Sequence, residues 1–123
     1  MTSTAHVRGI AFSMYPVSDL ARATAFYGDV LGLTKDGLDL PYWVEYDIAG
    51  STFGIGTFEQ VGTPGTAQSV SLEVDDMAAF RAHLLEHGFE STEPFETPAC
   101  FISGVRDPDG NLVYLHQAKA TNG

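Results

Sequence analysis

Apolar and polar positions alternate, fall into helical spacing, and alternate again, and the chain runs through this cycle twice. "GIAFSMYPV", Gly9 to Val17, reads as a strand. In "SDLARATAFYGDVLGL" the apolar residues Leu20, Ala23, Phe26, Tyr27, Val30 and Leu31 recur at helical spacing. Ser18 or Asp19 is placed to cap that helix, and Gly32 to end it. Leu40 to Phe58 reads as two strands about a turn at Ala49-Gly50. "VGTPGTAQ", residues 61–68, has linker composition. The cycle then restarts with "SVSLEV", Ser69 to Val74, a strictly alternating strand. "DDMAAFRAHLLEHG" is a capped helix with Met77, Phe80 and Leu84 on its apolar face. "PACFISGV" and "NLVYLHQ" are strands joined by "RDPDG", where Pro108 presets the turn and Gly110 accepts a positive φ.

The two cycles define two modules, about 8–60 and 68–118, within one domain spanning 1–123. Val17-Ser18-Asp19-Leu20 corresponds to Val74-Asp75-Asp76-Met77, and the turn at Ala49-Gly50 to that at Asp109-Gly110. Each module alone is too small for a good core. Two half-sheets side by side, backed by helices, would enclose a shared groove.

Composition narrows the function classes. The 123 residues are 44% hydrophobic and 18% charged, with a net charge of −10. That charge repels phosphate backbones and anionic lipid, so neither nucleic acid nor a membrane surface is an expected partner. The N-terminal "MTSTAHVRGIAFSMYP" has no charged leader followed by a long apolar run, and no stretch reaches transmembrane length. The single cysteine, Cys100, allows no internal disulfide, and a cytoplasmic location is the default expectation.

"YPVSDLARATAFYGDVLGL", "SLEVDDM" and "VRDPDGNLVYLHQ" resemble the vicinal oxygen chelate superfamily, which includes glyoxalase I, extradiol dioxygenases and the fosfomycin- and bleomycin-resistance proteins. The resemblance spans roughly Gly9 to Gln117. It implies an α+β fold of two pseudo-repeated βαβββ modules forming a cupped mixed sheet around a cavity, helices outside, usually as a homodimer. It also implies four metal-ligand positions. They lie five residues before the Val of each V-S-D or V-D-D motif and four after each turn glycine. Here they read Phe12, Gly54, Ser69 and Tyr114. Phe and Gly offer no lone pair, and neutral Ser or Tyr is a poor primary ligand for a divalent transition metal. The expectation is therefore no cofactor and the metal-free branch of the superfamily.

The ligand positions also fix which strand face looks inward, and period-two counting gives the lining. The expected ligand-binding residues are Phe12, Met14, Trp43, Glu45, Ser69, Ser71, Phe101, Tyr114 and His116, with Ile10, Glu73 and Leu112 on the same faces. Either Cys100 or Phe101 reaches the groove. A flat ring could stack on Phe12 or Trp43 while polar substituents meet Ser69, Tyr114 and His116. Tyr114 and His116 read equally as a sheet-face hydrogen-bond pair or as ligand donors. Glu73, at a strand end, reads as solvated or catalytic. Glu45 with His116 could form an improvised metal or acid–base pair. Cys100 reads as a small buried residue, and His83 and His87, four apart on a helix, as surface residues or a chelating pair. Asp107 and Asp109 read as turn residues.

The function expected is a metal-independent small-molecule-binding protein of the glyoxalase/bleomycin-resistance type. It would take an aromatic or amphipathic ligand in the cup, with antibiotic sequestration as one form. One alternative is a glyoxalase-like lyase, isomerase or dioxygenase using a relocated divalent metal or the His116/Glu45 pair. Another is a dimeric protein-interaction module.

Overall fold

A computed structural model describes residues 5–120. The ends of the expected domain, residues 1–4 and 121–123, lie outside the described residues. Module one contains β1 (Ser13–Pro16), α1 (Leu20–Thr24) with a π-helical continuation (Ala25–Val30), β2 (Thr34–Leu40), β3 (Trp43–Ile48) and β4 (Ser51–Gly56). Module two contains β5 (Ser71–Glu73), α2 (Met77–Glu86), β6 (Phe95–Glu96), β7 (Cys100–Arg106) and β8 (Leu112–Ala118). The sheets run β1-β4-β3-β2 and β5-β8-β7-β6, the same order in each module. In both, the first strand pairs parallel with the last, and the other pairs are antiparallel. This is the α+β architecture of two mixed, curled sheets that the repeat and the resemblance imply.

Local chemistry explains the boundaries. Asp19, rather than Ser18, caps α1, its carboxylate accepting from Arg22 N at 3.1 Å. Asp76 caps α2 in the same way, accepting from Ala79 N at 3.0 Å. Beyond Thr24 the first helix widens, and Leu31 N donates to Phe26 O across five residues at 2.8 Å. The β3–β4 hairpin turns on Ala49 and Gly50, both at positive φ (51° and 93°), the pattern of a type I′ turn. Strand β1 is shorter than the alternation from Gly9 to Val17 predicts, and β2 and β6 go beyond it.

One core joins the modules. Tyr15, Val44, Tyr46, Phe53 and Ile55 of the first sheet meet Leu72, Val74, Val105, Val113 and Leu115 of the second, with Phe26, Tyr27, Met77 and Leu84 between them. Each such side chain contributes about 1.5–3 kcal/mol by leaving water. Both sheets thus turn one face to the common core and one away from it, here called the outer face.

The "RDPDGN" turn bolts module two to module one. Buried Asp107 accepts from Asp109 N and Asn111 N at 2.9 Å, from Asn111 Nδ2 at 2.9 Å, and from Tyr27 OH at 2.7 Å. Asn111 reaches the other way, donating to Pro16 O at 2.7 Å and accepting from Gly65 N and Ala67 N. Asp109 accepts from Ser18 N at 3.1 Å and pairs with Arg22 at 3.3 Å. Asp107 and Asp109 are therefore structural, but between modules rather than only within their turn.

Candidate functional site

The outer face of module one is built around Trp43. Register places Trp43 opposite Gly56 and Glu45 opposite Gly54 on β4, with Met14 of β1 on the far side of Gly54. The indole lies flat across both glycines; a β-carbon at Gly54 or Gly56 would overlap it. Its ring meets Phe12 at 5.5 Å and Phe58 at 5.9 Å between centroids. Glu45 fixes it in place, one oxygen accepting from Trp43 Nε1 at 2.9 Å and the other from Leu38 N at 3.0 Å. These donors, Leu38 N–H first and the indole second, hold the Glu45 carboxyl below the usual carboxylate range. Glu45 is thus committed to β2 and Trp43, and the alternative Glu45/His116 pair does not form. Ile10 and Phe12 precede β1 in irregular backbone; Phe12 is 47% exposed and Met14 38%.

The outer face of module two carries its bulk on β8. Tyr114 stands opposite Gly104 of β7 and opposite Ser71 of β5, and His116 opposite Ile102 and Glu73. His116 Nδ1 lies 2.6 Å from Glu73 Oε1, and Glu73 Oε2 accepts from Ala118 N at 2.8 Å. Ala118 N–H first, then the imidazole, holds the Glu73 carboxyl below its ordinary value. Glu73 is solvent-exposed, as the solvated reading has it, yet it is also the partner of His116. Ser69 is exposed and precedes β5. Phe101 corrects an expectation: it pairs with Gln117 on the opposite face of the sheet and packs against the core. Cys100, on the His116 side of β7, is buried with its Sγ 3.1 Å from Thr97 Oγ1.

A cavity of about 570 Å³ opens on this second outer face. Ile102, Gly104, Leu112 and Tyr114 form its floor, and the segment from Gly88 to Phe95 its wall, where Phe89 also packs on Phe26 at 4.7 Å between ring centroids. Phe95 is 68% exposed. Arg106, Glu90 and Glu93 add charge, and the Arg106 guanidinium is anchored to Gly110 O at 2.8 Å. The wall was not legible from alternation, because "HGFESTEPFETP" contains only the two-residue strand β6. Two phenylalanines in a short polar stretch were the available signal. No residue of module one lines this cavity, and among the described residues no hydrogen bond or ring contact joins Phe12, Trp43 or Phe58 to Tyr114 or His116.

The register tests the four family metal positions directly. Gly54 stands opposite Met14 and Tyr114 opposite Ser71; Phe12 and Ser69 lie two residues before those partners. The two modules therefore place Phe12 with Gly54 and Ser69 with Tyr114 in equivalent locations. A longer side chain at Gly54 is excluded by the Trp43 indole. These residues do not fit a divalent ion: two lack donor atoms and two are neutral hydroxyls. Among the described residues no group of three or more His, Cys, Asp or Glu side chains gathers elsewhere. His83 and His87 are each tied to a backbone carbonyl, at 2.7 Å to Val30 O and 2.9 Å to His83 O.

Comparison with known proteins places this geometry. Residues 5–115 match the profile of the glyoxalase/bleomycin resistance protein/dioxygenase superfamily. Among solved structures, the antibiotic-binding protein TnmS3 from Streptomyces sp. CB03234 is similar at 26% identity and a TM-score of 0.81, covering 92% of this chain and 98% of that one. A glyoxalase/bleomycin resistance protein from the same Streptomyces strain is similar at 27% identity and a TM-score of 0.76, covering 89% and 100%. A lactoylglutathione lyase from Agrobacterium tumefaciens shares the fold at 20% identity and a TM-score of 0.75, covering 90% and 94%. No curated protein matches the sequence.

Proposed function

From membership of the glyoxalase/bleomycin resistance protein/dioxygenase superfamily, to which this chain belongs, we propose that it binds a small aromatic or amphipathic molecule through side-chain contacts rather than metal coordination. The observation that carries this reading is the cavity of about 570 Å³ over module two. Its volume suits a drug-sized ligand, and its lining sets Phe89, Phe95, Ile102 and Leu112 beside the charged Glu90, Glu93 and Arg106. Tyr114 supplies a ring face and a hydroxyl, and Phe89 and Phe95 supply apolar walls. The donor chemistry of Phe12, Gly54, Ser69 and Tyr114 supports the metal-independent form. An antibiotic-binding protein among the similar structures supports sequestration of a natural product as the role.

The working unit is a homodimer in this reading. The outer face of module one presents Phe12, Met14, Tyr42 and Phe58 to solvent, an apolar surface of the kind that partners cover. A second copy seated there would cover Phe12, Met14 and Phe58.

Native mass spectrometry of untagged protein tests both parts. The expected spectrum is a dimer carrying either no adduct or an organic one. A stoichiometric divalent ion would overturn the metal-independent reading. Thermal shift against an antibiotic and metabolite panel tests binding, since a ligand at a hundred times its Kd adds about 2.7 kcal/mol. A panel in which no aromatic compound raises the melting temperature would remove the ligand reading.

A further inference from the structure

The His116–Glu73 pair lies beside the cavity and is not used by the shape argument above. Glu73 is clamped at both oxygens, by Ala118 N at 2.8 Å and by His116 Nδ1 at 2.6 Å. An ionised carboxylate only accepts hydrogen bonds, so Nδ1 must carry the proton. In the neutral ring Nε2 is then left as a bare acceptor. The side chain is a third exposed, and His116 borders the cavity through its neighbours without itself lining it. Tyr114, two residues away and about 7 Å along the strand, lines the cavity, as does Ile102, which stands opposite His116.

The groups around the ring are few. Glu73 faces it from β5, Ile102 from β7, and Tyr114 shares its strand face. The Lys119 ammonium is occupied by Glu96 at 3.3 Å. Among the described residues, the charged group in contact with the imidazole is the Glu73 carboxylate.

We propose that His116, clamped by Glu73, receives the proton of an ionisable hydroxyl on the aromatic ligand, which is then held as its oxyanion against an imidazolium. The ligand class this selects is a planar aromatic carrying an acidic hydroxyl. The step is a proton transfer alone: the ligand O–H bond breaks, an Nε2–H bond forms, and no covalent bond joins ligand to protein. The proposal rests on the reading that the cavity beside Tyr114 takes an aromatic molecule.

The test uses 4-nitrophenol and 4-nitroanisole, which share ring and nitro group but differ in the proton. Below the pKa of free 4-nitrophenol, binding to the wild-type protein should raise the phenolate absorbance, and 4-nitroanisole should bind about tenfold more weakly. His116→Gln and Glu73→Gln, each confirmed as folded by Trp43 emission, should lose the phenolate band. The same variants should bind 4-nitrophenol about tenfold more weakly. Equal binding of both probes with no phenolate band would overturn this proposal and leave the cavity reading standing. Binding of neither probe would overturn both.

Discussion

Module one stands its bulk on β3, where Trp43 leans over Gly54 and Gly56 of β4 and Glu45 turns to Gly37 and Leu38 of β2. Module two stands its bulk on β8, where Tyr114 and His116 face Gly104 and Ile102 of β7. The strand register is the same: Gly54 corresponds to Tyr114, Gly56 to His116, Glu45 to Gly104 and Trp43 to Ile102. Large and small have been exchanged across the same paired strands. In module one the indole fills the space above its own glycines, and Glu45 locks it there. In module two the last strand carries the ring and the space beside it stays open, walled by Phe89 and Phe95. A repeated backbone thus yields one closed outer face and one receptive one, with no change of topology.

The largest expected effect comes from breaking the bolt that makes the two faces one molecule. Asp107→Ala leaves the Tyr27 hydroxyl and two donors of Asn111 without their acceptor in the core. Urea denaturation followed by Trp43 emission should show a loss of about 4 kcal/mol. A loss below about 1 kcal/mol would show that apolar packing alone joins the modules.

Next comes a direct comparison of the two faces. Gly54→Ala forces the Trp43 indole out of its seat and should cost about 2–3 kcal/mol, with a red-shifted emission. Gly104→Ala meets only the end of Leu112, whose Cδ1 lies 3.0 Å from the added carbon, and should cost about 1 kcal/mol or less. Equal costs would erase the distinction between a filled face and an open one. Between these two lies Tyr114→Ala, which should weaken an aromatic probe by about tenfold, or about 1.4 kcal/mol, through lost ring contact.

The smallest effect is a pH dependence read at module one. The folded Glu45 carboxyl lies below its ordinary value of 4.5. Its contribution to stability is therefore complete above that pH and is lost as pH falls through the lowered value. Trp43 emission should report this below pH 4.5, as the indole loses its charged acceptor, and Glu45→Gln should flatten the response.

Much of this was legible in the sequence. Alternation put Val44 and Tyr46 on the core face of β3, where the structure has them, and turn chemistry located the β7–β8 register. Strand β2 was not legible, since "TKDGLDL" is a polar edge, exposed along nearly its whole length, with a register break between Lys35 and Asp39. The π-helical stretch left the apolar spacing unchanged, so nothing in the sequence marked it. Parity placed Glu45, Glu73 and His116 on the faces expected to line the cup but could not say which carboxylate meets the imidazole. That depends on β5 lying beside β8, a fact of topology. The cavity wall from Gly88 to Phe95 lacked periodicity altogether.

The central claim is that module two, not module one, offers the receptive face. Amide-resolved NMR titration with 2-naphthol tests it most directly. The account predicts shifts at Phe89, Thr92, Ile102, Gly104 and Tyr114, around the cavity. Shifts confined to Phe12, Trp43 and Phe58, or none at all, would contradict it.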